Sequence, residues 1–149
     1  MIAVTQRVAH AKVDVDGQTV GSIGPGFMIL VGVAKGDGAE EVTYLCNKIV
    51  NLRVFDNEDG KFDLSLLDVK GEALVVSQFT LLGSWRKGRR PGFDQAARPE
   101  EAAQLVEMFA RELEKLGVKV SQGAFGARME VSLLNDGPVT FCMNTQISE

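Results

Sequence analysis

The sequence predicts an α+β fold, a mostly antiparallel, curved sheet or barrel with two helices packed on it, in a single domain over residues 1–149. Short apolar or alternating segments recur along the chain and end at turn residues, as strands do. Two longer segments carry apolar residues at helical spacing. The 149 residues, 45% of them hydrophobic, are enough for one core.

The N-terminal part of the chain predicts a hairpin followed by a central strand. Residues 1–11 alternate between two faces. The dipeptide Asp16-Gly17 then separates two strand-like segments, which is a strong hairpin signal. Residues 27–34 form the most apolar run of the chain, which is typical of a strand buried in the middle of a sheet.

Two helices are predicted. The first spans residues 37–51, with Asp37 as the N-cap and Glu40 completing a capping box. Cys46 lies on its apolar face, so we expect a core residue rather than a nucleophile there. The second helix spans residues 99–116 and has acidic residues in its first turn, as the helix dipole favours.

A predicted strand over residues 73–81 changes from apolar to polar at its end. Ser77, Gln78 and Thr80 follow four apolar residues with no turn residue between. Buried polar groups must be hydrogen-bonded or face a ligand. On a regular strand Gln78 and Thr80 share one face and Phe79 takes the other. Such side chains, together with unpaired backbone N–H groups, can hold a carbonyl oxygen.

A second polar stretch, residues 135–140, lies between strands predicted at 129–133 and 139–143. It contains Gly137-Pro138. Glycine permits close approach of the backbone to a ligand, although an ordinary turn before the last strand also explains this pair. We interpret the two polar stretches as parts of one site.

The composition disfavours several kinds of chemistry. A hydroxyl nucleophile needs a base, yet the only histidine, His10, lies in the first strand, and no G-x-S-x-G motif is present. One histidine and two scattered cysteines, Cys46 and Cys142, disfavour a zinc site and indicate reduced thiols in the cytoplasm. We therefore expect no metal and no cofactor.

The net charge of −4 predicts no general attraction to DNA or to membranes, so neither is an expected partner. One segment departs from this balance, because residues 83–98 form a long loop with a dense positive cluster. The cluster is either a solvated charged loop or a patch beside the site that contacts phosphates, since the loop leaves directly from the polar end of the strand. Its four cationic residues are Arg86, Lys87, Arg89 and Arg90.

The sequences SQFTL at 77–81 and NDGPVT at 135–140 resemble the two signature motifs of the D-aminoacyl-tRNA deacylases. The resemblance extends to IAVTQRV near the N-terminus, to the pair Arg90-Pro91 and to the final VSLLNDGPVTF. It covers essentially the whole chain. Gly92 stands where some members have serine, which leaves the two motifs unaffected.

The resemblance implies hydrolysis of the ester bond of D-aminoacyl-tRNA, as chiral proofreading in translation. If an L side chain is rejected by steric clash, glycine has no side chain to reject, so we expect glycyl-tRNA to be hydrolysed as well. It implies a homodimer with active sites at the subunit interface, where a cis Gly137-Pro138 bond enters the partner's pocket and excludes L-amino acids. It also implies that Thr80 and the backbone of Phe79 and Thr80 hold the ester carbonyl. The residues implied to line the adenosine and ester pocket are Ser77, Gln78, Phe125 and Met129.

Three alternatives remain open from the sequence. Catalysis by positioning, with help from the ribose 2′-hydroxyl, competes with a covalent mechanism in which Thr80 is the nucleophile. A small-molecule esterase or peptidase that uses Thr80 would hydrolyse simple esters without RNA. A non-catalytic dimeric RNA-binding module would bind tRNA and leave the ester intact.

Overall fold

The computed structural model describes residues 1–147. The sheet of the protein is organised around the long strand β1 (Ile2–Val15). β1 turns through Asp16-Gly17 into β2 (Gln18–Ile23), and β3 (Gly26–Gly32) then returns along β1. Both turn residues have positive φ, 50° at Asp16 and 76° at Gly17. The predicted hairpin and the central strand are confirmed.

The strands form a mixed sheet that closes almost into a barrel. β1 pairs antiparallel with β2, β3 and β8, whereas β3–β6 and β6–β7 are parallel. The Ser121 hydroxyl of β7 donates a hydrogen bond to the Ser22 carbonyl of β2 at 3.1 Å, which brings the two ends of the sheet together. The remaining strands are β4 (Phe55–Asp56), β5 (Phe62–Leu64), β6 (Glu72–Ser77), β7 (Lys119–Gln122) and β8 (Glu130–Asn144).

Helices α1 (Ala39–Asn51) and α2 (Pro99–Lys115) pack together against the sheet, which confirms the predicted α+β class. The predicted apolar face of α1 is buried, Cys46 included, as is Phe109 of α2. No helix within the described residues is long and apolar enough to cross a membrane.

The predicted capping box of α1 was wrong by one residue. Gly38 is the N-cap, and its backbone N–H donates to the Glu41 carboxylate at 2.8 Å, so Glu40 takes no part. The Asp37 carboxylate instead forms a buried ion pair with the N-terminal ammonium of Met1 at 2.8 Å. The buried N-terminal ammonium group needs a partner of opposite charge, and Asp37 provides it instead of capping the helix. The cap of α1 is supplied by Glu41.

The last strand also differs from its prediction. The two strands predicted at 129–133 and 139–143 are one continuous 15-residue strand, β8, with Gly137-Pro138 inside it. Register shifts opposite Arg7 accommodate this dipeptide in the ladder. Within the described chain β8 pairs only with β1, so its other edge is free, and most of its side chains are exposed.

Candidate active site

The polar end of β6 is a turn rather than a strand. β6 stops at Ser77, and a 3₁₀ turn follows at Phe79–Leu82, so the predicted strand to residue 81 was wrong. The partner strand β3 ends at Gly32, which leaves no ladder beyond this point. A Cβ added at Gly32 would lie 2.6 Å from Leu82 Cδ2 and 2.9 Å from the Gln78 carbonyl oxygen. Glycine there lets the turn fold directly onto the end of β3.

The turn exposes the polar groups that the sequence singled out. The Gln78 side-chain amide donates a hydrogen bond to the Thr80 hydroxyl oxygen, and Phe79 and Thr80 are both exposed. A carboxamide cannot accept the hydroxyl proton, so Gln78 cannot act as a general base for Thr80. The only histidine, His10, is exposed on β1 opposite Leu134, well beyond the register of Ser77.

Two backbone donors are free at the start of the 3₁₀ turn. The first N–H groups of a helical turn have no acceptor within the turn itself. Among residues 1–147, neither the Phe79 N–H nor the Thr80 N–H donates a hydrogen bond to the protein. Adjacent N–H groups of this kind can stabilise negative charge on the oxygen of an ester carbonyl.

Phe125 lies in the turn that follows β7, and Met129 precedes β8. β7 runs parallel to β6, and the Gly123 N–H donates to the Val75 carbonyl at 3.0 Å. This bond places the Phe125 turn beside the β6 end that leads into Ser77. Phe125 is 44% exposed, whereas Met129 packs against the smaller core cluster.

The Gly137-Pro138 bond is cis, as the sequence resemblance implies, and both residues are exposed. The backbone around this bond is held by hydrogen bonds from the Asn135 side chain. The Asn135 side-chain amide donates to the carbonyl oxygens of Arg7 at 2.9 Å and Val139 at 3.3 Å. These two hydrogen bonds connect Asn135 to the neighbouring strand β1 and to the residue that follows Pro138.

Arg7 is the site residue that sequence reasoning missed. Its side chain is 8% exposed, and Nε donates to the Asp136 carbonyl at 2.7 Å while Nη1 donates to the Val54 carbonyl at 2.7 Å. Nη1 also contacts the Asp56 carboxylate at 3.2 Å. The structure places Arg7 on the face of β1 that also carries the buried Ala3 and Thr5, and no local sequence pattern marks that face as buried.

The two polar stretches do not meet within one chain. Ser77 is level with Val31 and Ala3 in the sheet, whereas Gly137 lies beside Arg7. Along the sheet they are separated by three strand spacings, about 14 Å, and by four residue steps, about 13 Å. If the two stretches form one site, a second copy of the chain must supply one of them.

The other candidate residues are placed as follows. Burial, and to a smaller extent the Glu112 carboxylate, raises the pKa of Cys46 to about 12, as suits a core residue. Cys142 is exposed on β8. Within residues 1–147 no cluster of three His, Cys, Asp or Glu side chains is arranged to bind a metal. The four cationic residues Arg86, Lys87, Arg89 and Arg90 are exposed in the loop after the 3₁₀ turn.

Sequence comparisons identify relatives over the whole chain. A family model described as D-Tyr-tRNA(Tyr) deacylase matches residues 4–144. D-aminoacyl-tRNA deacylase of Geotalea uraniireducens is 57% identical over 145 residues, covering 97% of this chain and 94% of that protein. The enzyme of the same name from Bacteroides thetaiotaomicron is 51% identical and is covered, like this chain, over its full length.

Two solved structures are similar in fold. The c-Myc DNA unwinding element binding protein superposes with a TM-score of 0.93 at 39% identity, covering 99% of this chain and all of that one. A probable eukaryotic D-amino acid tRNA deacylase superposes with a TM-score of 0.82 at 18% identity, covering 95% and 97%. The second likeness concerns the fold alone.

Proposed function

The chain belongs to the D-aminoacyl-tRNA deacylase family and is an ester hydrolase acting on D-aminoacyl-tRNA, and we propose that each of its active sites combines residues from two copies of the chain. One copy contributes the 3₁₀ turn at 79–82 and the other contributes Gly137-Pro138. The proposal rests on the separation of these two stretches within one subunit.

The free edge of β8 supports this homodimer. A long unpaired edge strand with exposed apolar side chains is a place where a second chain commonly binds. Leu134 is 53% exposed and Val131 is 37% exposed on the strand that carries Gly137. An interface on β8 would cover these side chains and bring Gly137-Pro138 to the partner.

Catalysis in this proposal depends on positioning and on polarisation of the ester carbonyl. The N–H groups of Phe79 and Thr80 hold the carbonyl oxygen as it gains negative charge. The substrate ester is activated by its own ammonium group and by the neighbouring ribose hydroxyl, which orients the attacking water. Ser77, Gln78, Phe125 and Met129 line the pocket for the terminal adenosine and the ester. No protein base is needed. This agrees with the hydrogen-bond partner of the Thr80 hydroxyl, the side-chain amide of Gln78, which cannot act as a base.

Chirality follows from the carbonyls of Gly137 and Pro138 facing the α-carbon of the bound residue. A hydrogen atom fits against them, whereas an L side chain collides with them or leaves them unpaired. We expect D-aminoacyl-tRNA and glycyl-tRNA to be hydrolysed, with kcat/KM for the L-ester lower by about 10⁴-fold. Deacylation of matched D-, L- and glycyl-tRNA with one tRNA body measures this. Equal rates for both enantiomers, or a resistant glycyl ester, would contradict the steric account.

Replacing Thr80 with alanine tests the covalent alternative. We expect Thr80→Ala to keep its activity within about tenfold, because the backbone N–H at this position remains and the hydroxyl has no base beside it. Single-turnover deacylation measures the effect. A loss of about 10⁴-fold or more, with an acyl-enzyme trapped on the wild-type protein, would make Thr80 the nucleophile.

The substrate also accounts for the proposed location and for the basic loop. An enzyme that acts on tRNA is expected in the cytoplasm. Arg86, Lys87, Arg89 and Arg90 are the proposed contacts to the phosphates of tRNA, since they are exposed on the loop that leaves the 3₁₀ turn.

A further inference from the structure

Trp85 is the most exposed large apolar side chain in the described part of the chain, at 74% exposure. It is also the only tryptophan in the sequence. The Arg86 guanidinium lies over its ring, 5.2 Å from the centroid. A single exposed tryptophan covered on one side by a cation leaves its other face open to solvent.

The loop that carries Trp85 is closed at its base and joined to the active site. Ser84 and Gly92 exchange two backbone hydrogen bonds, of 2.7 and 2.9 Å. Next to Gly92, the Phe93 ring packs edge-on against Phe79, with centroids 5.0 Å apart. The position of Trp85 is therefore tied to the turn that we assign to the ester carbonyl.

The surroundings of Trp85 match the chemistry of single-stranded RNA. Proteins bind single strands by combining cations that follow the phosphates with aromatic rings on which bases stack. Four cations lie within five residues of Trp85, in a protein whose net charge is −4. The aminoacylated end of tRNA is single-stranded, so unpaired nucleotides precede the adenosine that carries the ester.

We propose that Trp85 stacks on an unpaired nucleotide that immediately precedes the terminal adenosine, with the neighbouring cations on the adjoining phosphates. This inference rests on the proposed function, in which the 3₁₀ turn holds the ester. The ring then contributes to recognition of the RNA strand, while the amino acid and terminal adenosine are bound elsewhere in the site.

Three substrates with the same D-amino acid test the proposal: D-aminoacyl-tRNA, the D-aminoacylated trinucleotide CCA and D-aminoacyl-adenosine. We expect Trp85→Ala to lower kcat/KM by about 5- to 150-fold on the first two substrates. Activity on D-aminoacyl-adenosine should stay within about twofold of the wild type, because no nucleotide precedes the ester there. Trp85→Phe, which keeps a ring, should lose less than Trp85→Ala on both RNA substrates.

Tyr44 provides a matched control. It is a 55% exposed aromatic residue on α1 with its own cation, Lys48, 5.7 Å from the ring centroid. Tyr44→Ala should leave the activity on all three substrates unchanged.

The salt dependence of tRNA binding separates the ring from the cations. Trp85→Ala should leave this dependence unchanged, whereas Arg89→Gln with Arg90→Gln should reduce its slope by about 0.7 for each phosphate that is no longer neutralised.

Fluorescence gives a readout that does not depend on activity. Because Trp85 is the only tryptophan, titration of the wild type with unacylated CCA should quench its emission. The proposal is overturned by an unquenched signal, by an equal loss on D-aminoacyl-adenosine, or by a loss seen on tRNA but absent on the trinucleotide. If the wild type hydrolyses none of the three substrates, the proposed function fails instead.

Discussion

Replacing Phe79 with proline is expected to lower kcat by about 10²- to 10³-fold, the usual cost of removing one donor from an oxyanion site. Proline deletes the backbone N–H that we assign to the ester carbonyl. The position tolerates it, since Phe79 begins the 3₁₀ turn and its N–H has no acceptor in the described chain. Gln78, at φ −148° and ψ 79°, lies outside the helical region that a following proline disfavours.

The matched control is Phe79→Ala. Both variants remove the ring that packs against Phe93, and only the proline removes the N–H. The ratio of their single-turnover rates therefore isolates the backbone donor. Circular dichroism and thermal unfolding establish that both variants fold alike. If Phe79→Pro is as active as Phe79→Ala, the carbonyl is held by other groups, and the proposed mechanism is wrong.

The second prediction concerns two inactive variants that restore activity when mixed. A Cβ added at Gly137 would lie 3.0 Å from Asn135 Oδ1 and would press on the Val139 backbone nitrogen, so Gly137→Ala displaces the carbonyls that we propose face the substrate. We expect a loss of about 10²-fold, as is usual for groups misplaced by about 1 Å. Phe79→Pro damages the other half of the proposed site.

In a mixed dimer of these variants, one composite site carries both defects and the other carries none. After unfolding and refolding an equal mixture, we expect about a quarter of the wild-type activity, because half of the dimers are mixed and half of their sites are intact. Separately refolded variants, combined without exchange of subunits, provide the control. If the refolded mixture gains no activity although mixed dimers are present, both stretches act within one subunit.

The support for Gly137-Pro138 illustrates what a local sequence pattern leaves open. Alternation places Thr5 and Arg7 on one face of β1, but it does not say that this polar face turns inward. Closure of the sheet buries Arg7, whose guanidinium then satisfies the carbonyls of Val54 and Asp136. These partners lie 47 and 129 residues away, beyond the reach of any local pattern.

Much of the architecture, by contrast, depends on interactions between near neighbours. The hairpin at Asp16-Gly17 needs two residues that adopt positive φ, and the apolar face of α1 needs only helical spacing. Both α-helices and the first three strands could therefore be predicted. The fold class, predicted from the pattern of apolar residues, was also correct. So was the enzyme family, which was predicted from the two polar motifs.

The sequence by itself determined the helices, the hairpin, the family and the residue types available for chemistry, because periodicity, turn preference and motif identity are properties of short segments. Only the tertiary structure decided that β6 ends in a 3₁₀ turn, that Asp37 pairs with the N-terminus and that the two polar stretches lie apart in one subunit. Each of these depends on what another part of the chain places alongside: the end of β3, a buried ammonium group and the order of strands in the sheet.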